Sequence, residues 1–345
     1  ATMFAAGMDP LVGSAVILLG AGSGVLGSTV NPFATGVAIS ALPEGIKTNQ
    51  GIILLIAVIL WLTTYAISCW FVLKYAKRVK KDKGSTFLSL REQAAAEKKY
   101  GKYAEKVQEK VKLTSKQEVT LLLFGLTFLI MIIGFIPWGE FGIKFFDGFT
   151  GWLTGESLGN WWFNEAALWF LIMAIIIGIV NKMGEKTLVD TIVDGADDMV
   201  GVVLVIAVAR GASVLMAQTY LDNYIIYSAI KVLSTLPEII FVPLNYILHI
   251  VLSILVPSSS GLATLSTPII GPLAAHLGYS TEVAIMTIVS ANGLVNLITP
   301  TCGAIMGGLA LAKVEYSTWF KWAFKLVLLI ALVNIVILSF FAIIL

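Results

Sequence analysis

Ten residues with neutral polar side chains fall where the chain is also rich in helix breakers. Ser28, Thr29 and Asn31 sit in Gly27-Ser-Thr-Val-Asn-Pro32, and Ser258, Ser259 and Ser260 sit in Pro257–Gly261. Asn292, Asn296, Thr299 and Thr301 sit around Asn292-Gly293 and Asn296-Leu-Ile-Thr-Pro-Thr301. The chemistry such groups can do is ligation. Side-chain oxygens, joined by main-chain carbonyls freed where a helix unwinds, suit a hard cation such as sodium. Main-chain N–H groups at the start of a half-helix suit an anion. A sodium site through Gly27, Asn31, Asn296 and Thr299 needs no carboxylate. Gly, Ser and Thr also let membrane helices approach closely, so each residue taken singly has a packing use too.

The charged and catalytic candidates are few. Arg210 stands in the middle of the apolar run Val200–Thr219, where a cation is costly in lipid. It serves either as an anion partner or as a cap for carbonyls at a break beside Gly211. His249 follows Asn245 by one helical turn, which fits a structural hydrogen bond or a proton-coupling role. Asp194, Asp197 and Asp198 read as partners for a helix N-terminus. Gly20–Gly24 lacks the strand that a dinucleotide-binding loop needs. Cys69 and Cys302 support neither a disulfide framework nor a metal cluster, and no Ser-His-Asp set is in a credible setting. An enzyme is therefore not expected, nor any cofactor beyond a bound sodium ion.

The elements that hold these residues must cross a membrane. Hydrophobic residues make up 58% of the chain and charged ones 13%, too few to cover a soluble domain of this size. The runs Gly51–Leu73, Leu121–Pro137, Ala166–Val180, Val200–Ala217 and Leu326–Leu345 approach or reach spanning length. In all, seven or eight crossings are predicted. Between Lys74 and Glu118 lie 14 of the 23 Lys and Arg residues, which places that stretch on the cytoplasmic side. Its mixed signs describe a solvated helix rather than a nucleic-acid surface.

Residues 11–42 are predicted to form a helix that unwinds around Gly27–Asn31 and restarts at Pro32. Pro237–Val256 and Leu262–Leu277, joined by Pro257–Gly261, are predicted to form a hairpin that enters and leaves on one side, with two full crossings as the rival reading. Glu282–Ala312 is a second broken helix, and Thr318–Leu345 is the last span. Trp138–Asn164 suits an outer interfacial segment, and Asp222–Thr235 an amphipathic arm. Shifting residues 7–36 by 271 positions lays Gly7, Gly22, Leu26 and Gly36 on Gly278, Gly293, Leu297 and Gly307, and Ser28 on Thr299. Both breaks coincide, and counting crossings makes the two broken helices antiparallel, the mark of an inverted repeat.

The segments Leu19–Thr35, Val256–Pro268 and Gly293–Thr301 resemble the YfcC-like branch of the anaerobic C4-dicarboxylate carrier (DcuC) family. The resemblance spans essentially the whole chain. It implies the ion transporter superfamily, with the divalent anion/sodium symporters as relatives: an all-α polytopic membrane protein, with an inverted-repeat ion-transporter fold of broken helices and re-entrant hairpins. Substrate and ions would then bind between the hairpin tips and the breaks. The visible tip is Ser258–Gly261, and the chain is expected to begin where a first hairpin has just ended.

The layout expected on this basis has five parts. Residues 1–75 and 237–345 form a transport domain, 76–116 a cytoplasmic basic loop, 117–221 a scaffold for a homodimer, and 222–236 an interfacial arm. The function implied is elevator-type secondary transport of a small organic anion across a bacterial inner membrane, coupled to sodium or protons or run by exchange. The alternatives are a basic amino acid antiporter, which the YfcC-like branch also includes, and a channel. The partners expected are a small-molecule substrate, the lipid bilayer and a second copy of the chain, with no nucleic acid.

Overall fold

The computed structural model describes residues 2–29, 31–107, 113–136, 138–148, 150–161 and 163–345; at some of these, Arg210 among them, only the backbone is described. The regular elements among the described residues are all helices, and the chain forms two compact units, Ala1–Gln108 with Asp198–Leu345, and Glu109–Asp197. Five helices are long and apolar enough to cross a membrane: α2 (Pro10–Gly27), α4 (Gln50–Lys81), α6 (Ser115–Phe135), α10 (Glu238–Leu255) and α14 (Tyr316–Ile344). The chain is an all-α polytopic membrane protein.

In the first unit, helix starts follow from their caps. The Asp9 carboxylate accepts from Val12 N–H and Pro10 opens α2, where its missing donor costs nothing. Ser280 caps α12 (Thr281–Val295) by accepting from Val283 N–H. The 271-residue shift therefore carries Asp9 and Val12 onto Ser280 and Val283, cap onto cap. It also carries Gly7 (φ 81°) onto Gly278 (φ 77°), both in the left-handed region that glycine enters without steric cost.

Polar ties at the helix ends fix direction. At one end, Asp9 Oδ2 accepts from Tyr75 Oη (2.5 Å), near the end of α4, and from Thr86 Oγ1 (2.6 Å). There too, Glu92 on α5 (Leu90–Val107) accepts from Glu315 N–H (2.7 Å) just before α14. At the other end, Asn49 N–H, before α4, donates to Glu282 Oε1 (2.8 Å) at the start of α12. Helix α2 thus begins where α4 ends, and α12 begins where α4 begins. The two helices run in opposite directions, as the repeat predicts.

Their crossing repeats the symmetry. A Cβ on Gly293 would lie 2.4 Å from Leu26 Cα, and one on Gly22 would lie 2.2 Å from Leu297 Cδ2. Gly22 and Leu26 map onto Gly293 and Leu297, so each repeat sets its glycine against the other's leucine. Beyond the crossing, α2 gives way to a π-helical turn (Pro32–Gly36) and a short α3 (Val37–Ser40), and α12 to α13 (Gly303–Ala312).

Helices α10 and α11 (Ser259–Leu277) form the hairpin. Tyr279 Oη, just after α11, donates to the Leu236 carbonyl (2.7 Å) before α10, so the arms share a base. Both arms pack on α12. The tip meets Asn292, about 16 Å along α12 at 1.5 Å per residue, well short of the far end of α13. That depth favours re-entrance over two full crossings.

Three expectations need correction. Helix α8 (Glu185–Gln218) is unbroken through Arg210-Gly211, because one glycine costs a long helix only about 1 kcal/mol. Asp194 and Asp197 accordingly sit turns beyond its start rather than at it. Helix α4 runs on to Lys81, past the expected loop boundary at Leu73, with Arg78, Lys80 and Lys81 in a last turn whose dipole favours cations.

In the second unit α6 packs on α7 (Phe163–Val180). Trp169 Nε1 donates to the Thr127 carbonyl (3.0 Å), and Asn181 Nδ2 donates to Thr120 Oγ1 (2.8 Å). The amphipathic arm is α9 (Leu221–Leu233), in the first unit.

Candidate functional site at the hairpin tip and the helix breaks

The hairpin tip closes onto α12 through three side chains. Ser259 Oγ donates to Asn292 Oδ1 (2.7 Å), and Asn296 Nδ2 donates to the same oxygen (2.9 Å). Asn296 Nδ2 also lies 3.5 Å from the Pro257 carbonyl. A carbonyl only accepts, so Asn296 must present its nitrogen, and Asn292 must then present its oxygen. Asn292 is 2% exposed, and its Nδ2 has no partner. The cluster therefore offers N–H donors at the tip, beside the positive end of α11, where Ser258 Oγ accepts from Gly261 N–H (3.2 Å). Ser260 is half-buried, 3.4 Å from Ser258 Oγ.

At the first break the chain turns on Ser28, which is buried and left-handed (φ 49°), a conformation uncommon outside glycine. The Ser28 hydroxyl donates to the Val25 carbonyl and accepts from Asn31 Nδ2 (3.3 Å). Asn31 Oδ1 accepts from Phe33 N–H (2.9 Å), and Thr35 Oγ1 donates to the Ser28 carbonyl (2.9 Å). Thr29 is half-buried beside them. Gly27 lies against α4, where a Cβ would come 2.4 Å from Trp61 Cβ.

At the second break Thr299 and Thr301 share a hydroxyl–hydroxyl bond (2.8 Å). The freed carbonyls of Leu297 and Ile298 are taken by Trp319 Nε1 (3.1 Å) and Tyr316 Oη (2.8 Å) from α14. Sequence reasoning missed these two supports. Aromatic residues at the start of a span read as interface anchors, and only the fold aims them at the break. A cavity of about 310 Å³ opens beside it, with apolar walls that include Ile254, Ile298, Phe320 and Thr299.

Of the predicted residues, the structure unites Ser259, Asn292 and Asn296. It bonds Ser28 to Asn31, Thr299 to Thr301 and Ser258 to Ser260, each pair within its own segment. The Arg210 side chain lies outside the described residues. Among the described residues no three His, Cys, Asp or Glu side chains come together.

A family model described as the C4-dicarboxylate anaerobic carrier (DcuC) matches residues 2–342. An uncharacterized protein of Haemophilus influenzae is 27% identical over 323 residues, covering 94% of this chain and 58% of that protein. YfcC of Escherichia coli, whose name proposes basic amino acid antiport, is 22% identical over 331 residues, covering 91% and 58%. The chain thus spans 58% of the length of these curated relatives. The crystal structure of the Alcanivorax borkumensis YdaH transporter aligns over 97% of this chain and 85% of its own, at 14% identity and a TM-score of 0.35, too loose a likeness to carry an argument.

Proposed function

The chain belongs to the C4-dicarboxylate anaerobic carrier (DcuC) family, and from that premise we propose that it carries a small organic anion, such as a C4-dicarboxylate, across a bacterial cytoplasmic membrane as a secondary transporter. The family is one of carriers, so the chain is no enzyme.

The observation that supports an anion is the polarity of the tip. Asn292 has spent its oxygen on Ser259 and Asn296 and keeps buried N–H donors free. A carboxylate accepts from such donors, whereas an ammonium group cannot. That weighs against a basic amino acid at this spot, the substrate class in the name of the YfcC relative.

The cycle we propose is alternating access of the elevator type. Residues 1–75 and 237–345 move, 117–221 serve as the scaffold of a homodimer, 222–236 connect the two, and 76–116 face the cytoplasm. Ser28, Thr29, Asn31, Ser258, Ser260, Thr299 and Thr301 line the path of substrate or ion. A sodium ion would find spare lone pairs on Asn31 Oδ1 and Thr299 Oγ1.

Uptake of radiolabelled succinate into proteoliposomes tests the reading. The expected result is saturable uptake competed by dicarboxylates and not by lysine or arginine. Competition by lysine or arginine alone would replace the anion with a basic amino acid, and flux without saturation would replace the carrier with a channel.

A further inference from the structure

Helix α10 buries Val242, Asn245, Tyr246, His249, Leu252 and Ser253 along one face, which packs on α12 and α14. Two of these carry polar valences that nothing satisfies. His249 is 0% exposed, and its Nδ1 lies 2.7 Å from the Asn245 carbonyl oxygen. That oxygen only accepts, so the neutral ring carries its proton on Nδ1 and leaves a bare lone pair on Nε2. This Nε2 is buried without a partner. Asn245 is also 0% exposed, and neither its Oδ1 nor its Nδ2 has a partner. The two side chains leave one helix face one turn apart, roughly 5–6 Å between Cβ atoms.

Several neighbouring polar groups are engaged, although Asn334 Oδ1 on α14 is also buried without a partner. Ser253 Oγ donates to the His249 carbonyl (2.5 Å), Thr287 Oγ1 to the Val283 carbonyl (2.7 Å) and Ser290 Oγ to the Met286 carbonyl (2.5 Å). Tyr246 Oη accepts from Asn334 Nδ2 (3.0 Å). Asn245 and His249 are distinguished by carrying three of these unpaired atoms one turn apart on the same helix face. Buried groups of this kind are normally completed by internal water, which makes about three bonds to polar atoms.

We infer that Asn245 and His249 form a water-filled, proton-accepting site inside the first hairpin arm, and that His249 Nε2 takes up the coupling proton of the transport cycle. A hydronium ion from the aqueous phase gives its proton to the Nε2 lone pair and leaves as water, while Nδ1–H stays on the Asn245 carbonyl. The new Nε2–H donates to the internal water, which donates in turn to Asn245 Oδ1. The hairpin arm gains one positive charge in a low-dielectric setting, which favours an anion bound at the same time. The sign is that of proton–anion symport.

The other titratable groups near α10 are accounted for. On α12, Glu282 accepts from Asn49 N–H and Ser280 Oγ. On α14, Tyr316 donates to the Ile298 carbonyl, and Lys321 and Lys325 are exposed. On α9, Tyr224, Tyr227 and Lys231 are exposed, and the Asp222 side chain lies outside the described residues. On α10 itself, Glu238 accepts from Ser280 N–H at the hairpin base, and Tyr246 is engaged as above.

The coupling role rests on the transporter reading, but the site itself does not. The chain has 2 histidines, so [15N]histidine labelling of the His276→Gln variant in lipid nanodiscs reports on His249 alone. The expected spectrum is an Nδ1–H tautomer whose Nε2 gains a proton as the pH is lowered from about 8 to about 3. Asn245→Leu, which removes the anchor of the water, shifts that titration to lower pH. In proteoliposomes His249→Gln loses roughly tenfold or more of succinate uptake driven by a pH gradient. Succinate counterflow by the native protein needs no gradient and examines the transporter reading separately. A His249 resonance unchanged across that range overturns the site. Full gradient-driven uptake by a folded His249→Gln variant overturns the coupling.

Discussion

Single side chains decide what the tip can bind. Asn292→Asp keeps the shape and the oxygen that Ser259 and Asn296 use, but trades the free donors for negative charge. Succinate uptake is expected to fall about a hundredfold, about 2.7 kcal/mol of lost transition-state binding. Uptake by Asn292→Asp equal to the native rate would remove Asn292 from the substrate path. A different carboxylate acts outside the membrane. Glu92 is 2% exposed. Burial alone would raise its pKa, but donation from Glu315 N–H, Ser89 and Thr318 Oγ1 outweighs burial and holds the carboxyl below its ordinary value. A depressed folded pKa stabilises above the unfolded value, about 4.3, and that stabilisation is lost as pH falls through the folded value. Docking of α5 should therefore be complete at neutral pH and weaken only in acid. Glu92→Gln should cost about 1 kcal/mol at neutral pH and flatten the acid limb, read as hydrogen exchange in residues 89–100 against pH.

At the scale of elements, the breaks and the repeat were legible because their signals are local. Gly27–Pro32, Pro257–Gly261 and Asn296–Thr301 each combine helix breakers with polar side chains in otherwise apolar sequence, and the structure departs from regular α-helix at each. What stayed illegible depends on partners far along the chain. No spacing rule says that Tyr316 and Trp319 reach back to the carbonyls of Ile298 and Leu297. Nor does any say that Glu92, in what reads as a solvated basic segment, caps the start of α14. The Arg210-Gly211 pair misled for the opposite reason: a lone glycine resembles a break, yet the hydrogen-bond ladder of α8 carries through it. The crossing of α2 and α12 permits a graded test. A methyl on Gly293 meets Leu26 main chain at 2.4 Å, a methyl on Gly22 meets the mobile end of Leu297 at 2.2 Å, and one on Gly24 meets nothing within 4 Å. Gly293→Ala should therefore lower stability by about 1–3 kcal/mol, Gly22→Ala by less, and Gly24→Ala should be neutral or slightly stabilising. Thermal unfolding of the three variants in one detergent checks the order. Equal midpoints would mean that the two breaks are not held together at this crossing.

For the whole molecule, everything depends on the two repeats lying in the membrane upside down with respect to each other. The ties at the ends of α4 make that a statement about sides. The start of α2, the end of α4, α5 and the start of α14 share one end, and the starts of α4, α10 and α12 share the other. The first end carries Lys74, Lys77, Arg78, Lys80, Lys81 and Lys83, all exposed, so the positive-inside bias predicts that it faces the cytoplasm. On that prediction the loop between α3 and α4 and the hairpin base face outward. Substituted-cysteine labelling on a Cys69→Ser, Cys302→Ser background tests both sides together. An impermeant maleimide is expected to label Glu44→Cys in intact cells, and to label Lys83→Cys only after permeabilisation. Both positions are exposed and lie outside the transmembrane contacts, so the substitutions should leave the fold alone. Labelling of both from the same side would break the antiparallel arrangement of α2 and α12. With it would go the physical reason for proposing one pocket between the tip and the two breaks: such a pocket between opposed half-helices is reached from either side only when the halves point in opposite directions.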